Sequence, residues 1–286
     1  MPHHSPFENS EFVEFFSKIR SPVASGVARK VVNLAHMRDG QSLLDLGCGP
    51  GLVTKEIMKI RSLGRVLLLD RSGEMVRQAR LNLGQTKQDY AVRKVDLDSG
   101  DLARKRALKG FDHAIAIDLW HLLERPSDVA SFLFENALRP SGRLTISLHK
   151  QVSEKNMEVW HIVRQEIRGQ IASMLKERYP KVEFEGRSKG AVVHEHDTES
   201  FRSDLESVGF KLVASAEDKR LADVNQLVKH LPESFRMEVR QKIPDIDQDL
   251  LESVVADSVA HVTKSHRGIE RITLATEAFF VFAKPA

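Results

Sequence analysis

The stretch LLDLGCGPG, residues 43–51, limits the fold of this chain more than any other. Its short apolar run, SLLDLG, stops at glycine and reads as a buried strand. Glycines follow at alternate positions, Gly47, Gly49 and Gly51, and then the helical pattern LVTKEIMKI. The chain has only 16 glycines in 286 residues. Three of them so close together mark a loop where the backbone turns sharply or lets something approach. A helix N-terminus behind such a loop offers unpaired N–H groups and the positive end of a dipole. A plain strand-to-helix turn is the competing explanation.

The rest of the first half repeats this rhythm. Residues 11–37 read as helix: Phe12, Phe15, Phe16 and Ile19 recur at helical spacing, Pro22 interrupts, and Val27, Val31, Val32 and Leu34 resume. RVLLLD is a second buried strand ending at Asp70, and GEMVRQARLNL a helix. YAVRKVDLD is a third strand ending near Asp96, and FDHAIAIDLW a fourth. SDVASFLFENAL is a helix with Ser127 or Asp128 as its expected N-cap, and SGRLTISLH is a fifth strand. Strands alternating with helices predict βαβ units and a doubly wound, Rossmann-like parallel sheet.

After His149 the pattern changes. Residues 153–180 read as one amphipathic helix with Trp160, Val163, Ile167, Ile171 and Met174 on its apolar stripe. Residues 198–218 return to helix and strand, 221–265 are helical again, and EAFFVFAKP is a final strand. The expected organisation is a core over 1–150, helical insertions at 151–190 and 221–268, a return to the core at 191–220 and a last core strand in 269–286. We expect the two insertions to pack together over the carboxyl edge of the sheet as a lid.

The overall composition excludes several classes. Hydrophobic residues make up 41% and charged residues 29%, which suits a globular chain able to bury a large core. A net charge of +3, from 43 basic against 40 acidic residues, gives no basis for a nucleic-acid groove. The single cysteine, Cys48, excludes an internal disulfide and a Cys-based zinc site. The N-terminus lacks an apolar core of the secretory type, and no apolar run reaches a membrane span. The expectation is a soluble cytoplasmic protein.

The glycine spacing departs from the dinucleotide fingerprint G-x-G-x-x-G: the third glycine falls one position early, and Asp45 stands two residues before the first. Asp70 ends the second strand, 19 residues past Gly51, where a carboxylate with two acceptor oxygens suits a ribose. Asp96 ends the third. Alone, Asp96 reads equally as a solvated strand-end charge and Asp70 less readily so; together they mark one sheet edge. DLGCGPG resembles motif I of the class I S-adenosylmethionine-dependent methyltransferases. LDRSGEMVRQAR, FDHAIAIDLWHLL and ALRPSGRLTIS resemble the family's following segments. The small-molecule ubiquinone/menaquinone-methyltransferase type is the subgroup it is most similar to.

The resemblance implies a seven-stranded sheet whose last strand is antiparallel to the rest, with S-adenosyl-L-methionine as cofactor and S-adenosyl-L-homocysteine as product. It places Asp45, Gly47, Cys48, Gly49, Gly51 and Met75 around the cofactor loop, Asp70 on the ribose and Asp96 on the adenine amino group. Arg71 and Leu97 would flank the adenine, and the backbone of Gly47 and Asp118 would lie near the methionyl end. The reaction implied is methyl transfer to an oxygen, nitrogen or carbon of a small molecule. An N-P-P-Y or D-P-P-Y tetrapeptide of base amino-methylating enzymes is absent, as is a second cysteine for pyrimidine C5 chemistry.

Methyl transfer needs a base only when the acceptor must lose a proton, and histidine suits that task. His121 and His149, after the fourth strand and at the end of the fifth, are the candidates; lining the pocket or satisfying backbone is the other role open to each. His113 starts the fourth strand, at the wrong end. HEHD at 194–197 puts His194 and His196 on one face of a strand, but no third ligand is in sight and no metal is expected. Met157, Trp160, Met174, Phe235 and Met237 could line an apolar substrate cavity or form the insertions' own core. The expected partner is a small, apolar substrate, with no nucleic acid and possible homodimerisation through the insertions. Rival functions are non-methylating chemistry on the same fold, such as cyclisation, and nucleic-acid or protein methylation.

Overall fold

The computed structural model describes residues 6–84, 86–99, 108–150, 154–182, 198–222, 224–265 and 272–286. Chain order begins α1 (Ser10–Leu34), β1 (Ser42–Leu46), α2 (Leu52–Ile60), β2 (Arg65–Asp70), α3 (Gly73–Leu83), β3 (Tyr90–Lys94) and β4 (Phe111–Ile117). It continues α4 (Pro126–Phe132), β5 (Leu138–Lys150), α5 (Glu154–Leu175), α6 (Thr198–Val208) and β6 (Lys211–Ala222). It closes with α7 (Val224–Lys242), α8 (Gln248–Ser265) and β7 (Ile272–Ala283).

The strands form one seven-stranded sheet in the order β3-β2-β1-β4-β5-β7-β6. β1 pairs in parallel with both β2 and β4, so the strand order reverses there. β7 is the antiparallel member. Ser141 N–H donates to Lys284 C=O (3.1 Å) and Lys284 N–H to Gly142 C=O (2.9 Å), joining the start of β5 to the chain just past the end of β7.

Period two decides which side chain faces which layer. Leu44, Leu46, Leu67 and Leu69 join a core with Phe132, Phe201, Phe210 and Phe282, beside α4 and α6. The alternate residues Leu43, Val66, Leu68 and Ile115 join another with Val27, Val31, Ile57 and Val76, from α1, α2 and α3. Burial on both faces is why β1 reads as an apolar run apart from Ser42 and Asp45.

The chain divides into two compact units, one of residues 1–149, 191–218 and 277–286, the other of 150–190 and 219–276. The second has its own core, in which Ile167 and Ile171 of α5 and Phe235 and Val239 of α7 meet Leu251 and Val255 of α8. Phe235 belongs to that core, while Met174 is 44% exposed. The side chains of Met157 and Trp160 lie outside the described residues.

Three local expectations are corrected. Pro22 does not interrupt α1, which runs through it. The lost bond and crowding of about 3 kcal/mol are outweighed by burial on either side, of Val13 and Phe15 before it and Ala24, Val27 and Val31 after. α4 begins at Pro126, with Arg125 rather than Ser127 or Asp128 as N-cap. At that first position the missing N–H has no intrahelical partner to lose. β3 stops at Lys94, leaving Asp96 in the following loop.

Candidate active site

β1 ends at Leu46 and the glycine loop follows. Gly47, Gly49 and Gly51 all have positive φ, +59°, +52° and +71°. Two of them have close neighbours where a side chain would begin. A Cβ on Gly47 would lie 2.5 Å from Leu119 Cδ1, and one on Gly51 3.1 Å from Ala79 Cβ in α3. The loop therefore packs tightly against the turn after β4 on one side and α3 on the other. Gly49 is different: a Cβ there would meet only Met75 Sδ, at 4.0 Å. Gly51 is the N-cap of α2 and supplies no side-chain acceptor to the first helical N–H groups.

Asp45 is buried, and Thr54 Oγ1 of α2 donates to its Oδ2 at 2.5 Å. Burial pushes its carboxyl up to about 7, with the Thr54 bond opposing and Asp70 adding to the rise. Asp70 sits at the end of β2. Its Oδ2 accepts from Gly49 N–H (2.8 Å) and its Oδ1 from Ser72 N–H (2.9 Å). Burial raises its pKa above the usual carboxylate range, and those two bonds hold it back. Each oxygen keeps acceptor capacity, since a carboxylate has about four acceptor positions. Cys48 follows Gly47 in the loop; burial, then Asp45 and Asp70, push its thiol well up.

In DLD after β3 the two acids differ. Asp98 Oδ1 accepts from Glu124 and Arg125 N–H, both at 3.1 Å, tying this loop to the segment after β4. Asp96 is exposed, and its Oδ1 accepts from Asp98 N–H (3.1 Å). Arg71 is exposed; Leu97 is buried in the α4/α6-side core, and Met75 is buried beneath the loop.

Asp118, directly after β4, adopts φ +56°, uncommon for a residue with a Cβ. Its N–H donates to Ser147 Oγ of β5 (3.0 Å). Its Oδ2 pairs with the guanidinium of Arg20 from α1, which lies 5.3 Å from the Phe16 ring centroid. His121, on a 3₁₀ turn over Trp120–Leu122, has Nε2 3.9 Å from Asp118 Oδ1. The His149 side chain and residues His194 and His196 lie outside the described residues. Among the described residues no group of His, Cys, Asp and Glu is placed to hold a metal, and no helix is long and apolar enough to cross a membrane.

The N-terminal segment also reaches this edge. Phe7 C=O accepts from Ser72 Oγ, and Glu8 accepts from Gly73 N–H at 3.2 Å and pairs with Lys94 at 3.4 Å. Sequence reasoning missed Glu8, Arg20, Thr54 and Ser147. Only Ser72, the N-cap of α3, carried a local signal, a serine just before a helical run.

A doubly wound sheet in this strand order, with a glycine loop after β1 and an acid ending β2, defines the class I methyltransferase fold. A family model described as a methyltransferase domain matches residues 37–186, over half of the chain. The chain belongs to that family, the S-adenosylmethionine-dependent class I methyltransferases. It is similar to an uncharacterized 37.1 kDa protein of transposon TN4556 from Streptomyces fradiae, 35% identical over 112 residues. That match covers 38% of this chain and spans 30% of the relative's length. Of solved structures, the (4+2)-cyclase SpnF is similar at TM-score 0.52 and 15% identity, covering 92% of this chain and 82% of that one. Phosphoethanolamine N-methyltransferase 2 of Haemonchus contortus, in complex with phosphomonomethylethanolamine and S-adenosylhomocysteine, is similar at TM-score 0.52 and 15% identity. There the coverage is 97% of this chain and 58% of that one. At such identity both likenesses concern the fold alone.

Proposed function

We propose that this protein moves a methyl group from S-adenosylmethionine to an oxygen, nitrogen or carbon of a small, fairly apolar acceptor. The observation that carries this reading is the junction of Gly49 N–H with Asp70 Oδ2 at 2.8 Å, beside a glycine with space above it. That junction gives a nucleoside a backbone it can touch and a carboxylate with acceptors to spare for two ribose hydroxyls. Asp96, Arg71 and Leu97 are the candidates for the adenine end, and Gly47 and the Asp118 turn for the other. S-adenosylmethionine, when bound, would supply a sulfonium methyl carbon open to in-line attack by an acceptor lone pair, with the neutral thioether S-adenosylhomocysteine as leaving group. The residues of this chain chiefly position, a contribution worth about 7–11 kcal/mol of barrier in well-oriented systems. Where the acceptor carries a proton, His121 is the group we assign to take it, its Nε2 lying 3.9 Å from Asp118 Oδ1. His149 is the second candidate by its place at the end of β5.

The test is calorimetric titration of the full chain with S-adenosylmethionine, followed by mass analysis with a panel of phenols, amines and carboxylic acids. Binding and an added methyl on one acceptor are expected. A cyclase-like role is the second reading, favoured by the likeness to a cyclase fold; donor binding without methylation of any acceptor would favour it. No donor binding would remove both.

A further inference from the structure

We propose that a cleft at the amino edge of the sheet, between the turn after α1 and the turn at the start of β5, binds a phosphate-type oxyanion at Arg38 and Arg143. The site is separate from the glycine loop, and the inference does not rest on the donor reading.

Two turns meet at this edge. α1 ends at Leu34, and the chain turns over residues 35–41 before entering β1. β5 bends at Ser141, which has φ +62°. His36, Arg38, Gln41, His113, Ser141 and Arg143 are among the residues that line a cleft of about 230 Å³. At about 30 Å³ per water-sized group, that is room for about eight such groups. A phosphate with a short organic remainder fits. Gln41 and Gly47 stand at opposite ends of β1, about 20 Å apart at about 3.3 Å per residue, so a ligand here leaves the glycine loop clear.

The chemistry of the lining selects the ligand. Arg143 gives one N–H to Ala35 C=O (3.0 Å), and a guanidinium has five. Among the described residues, the Arg38 guanidinium, the Gln41 amide nitrogen and the Ser141 hydroxyl engage no protein group. Asp112 is the acid in the lining, and it is already met by Ser42 and by Arg139. Two cations and two neutral donors therefore stand without matching acceptors. A negative group with several acceptor oxygens completes them. The donors come from two separate turns rather than from one fork, which suits a tetrahedral oxyanion better than a planar carboxylate.

Two independent features mark the same place. His113 is 3% exposed; its Nε2 meets Gln41 Oε1 at 3.0 Å, and its buried Nδ1 has no partner among the described residues. Most buried polar side-chain atoms in native proteins do have one. His36 and Ser141, with φ +49° and +62°, are two of the three described non-glycine residues at positive φ. Such conformations cluster at ligand clamps and switch regions.

The test is calorimetric titration of inorganic phosphate into the full chain, at ionic strength held constant with chloride, with and without saturating S-adenosylhomocysteine. Saturable binding with Kd below about 1 mM is expected, the same in both conditions. Arg143 also holds the end of α1 through Ala35, so the exposed Arg38 is the residue to change. Arg38→Ala should weaken phosphate binding at least about 10-fold, the effect of one charge-assisted hydrogen bond, and leave the phosphate-free unfolding midpoint unchanged. Arg38→Lys should restore part. Arg143→Gln should weaken binding likewise; if it does not fold, the Arg38 variants decide. Glycerol 3-phosphate binding tighter than inorganic phosphate supports an organic phosphate as ligand, and weaker binding supports the free ion. No saturable binding overturns the proposal, as does phosphate affinity unchanged in Arg38→Ala. Binding abolished by S-adenosylhomocysteine, or acetate bound as tightly as phosphate, overturns it too. Failure of S-adenosylhomocysteine itself to bind removes the donor reading and leaves the phosphate result to stand alone.

Discussion

The two edges of the sheet use similar residues in opposite ways. At the amino edge, the acid Asp112 is met by groups of the protein itself. Asp112 accepts from Ser42 N–H (2.8 Å) and Oγ (2.7 Å) and pairs with Arg139 at 2.9 Å. Gln41 Oε1 accepts from Arg38 N–H (2.7 Å) and meets His113 Nε2 at 3.0 Å, so Nε2 carries the proton. Burial, with Arg143 assisting against Asp112, pushes His113 down to about 4, keeping it neutral. At the carboxyl edge the acids Asp45 and Asp70 are held above their usual range by burial. There Asp70 is met by backbone N–H groups that leave acceptor capacity facing outward. At the first edge Asp112 serves stability; the second edge gives up some stability for a surface that can take a ligand.

The sharpest break of this contrast is the pH dependence of stability. Folded Asp45 keeps its proton up to about 7 against 3.8 unfolded, so the native state holds more protons in between and stability falls as pH rises through that window. Asp45→Asn should remove about 4 kcal/mol of that fall, read as denaturant unfolding free energies at pH 4 and pH 7.5. His113 should give the opposite slope. Its pKa falls from 6.5 to about 4, so the unfolded state holds more protons in that window and stability rises with pH. His113→Gln should flatten that rise by about 3 kcal/mol. If the two variants flatten the curve in the same direction, the contrast fails.

Ligand binding separates the edges next. Asp70→Ala should weaken donor binding at least about 100-fold, near 3 kcal/mol, by calorimetry. Asp112→Ala should leave donor affinity unchanged and lower unfolding stability by about 2 kcal/mol, because Ser42 loses buried partners. The smallest expected effect compares glycines. Gly110→Ala at the amino edge has open space for its Cβ and only its φ of +79° to strain. It should cost about 1 kcal/mol. Gly47→Ala should cost more and also impair donor binding, since its Cβ strikes Leu119.

Legibility followed the range of the interaction. DLGCGPG and RVLLLD gave β1, the loop and β2 because a buried strand needs apolar residues on both faces and glycine is the residue that accepts positive φ cheaply. Ser72 was readable because an N-cap acts within three residues. Asp96 and Asp98 could not be ranked from DLD, because the Glu124 and Arg125 N–H groups that engage Asp98 lie 26 and 27 residues away. Pro22 misled because local propensity takes no account of burial on both sides of it.

By itself, the sequence determined that strands and helices alternate, where the chain turns on glycine, and that Asp70 ends the second strand, since these follow from side-chain period, backbone freedom and local hydrogen bonding. Only the tertiary structure decided that Arg20 meets Asp118 across 98 positions, that Thr54 covers Asp45, and that His113 and Asp112 are bound inward. Those pairings depend on which elements the sheet brings side by side. Strand order is set by burial summed over the whole chain, and no short segment carries it.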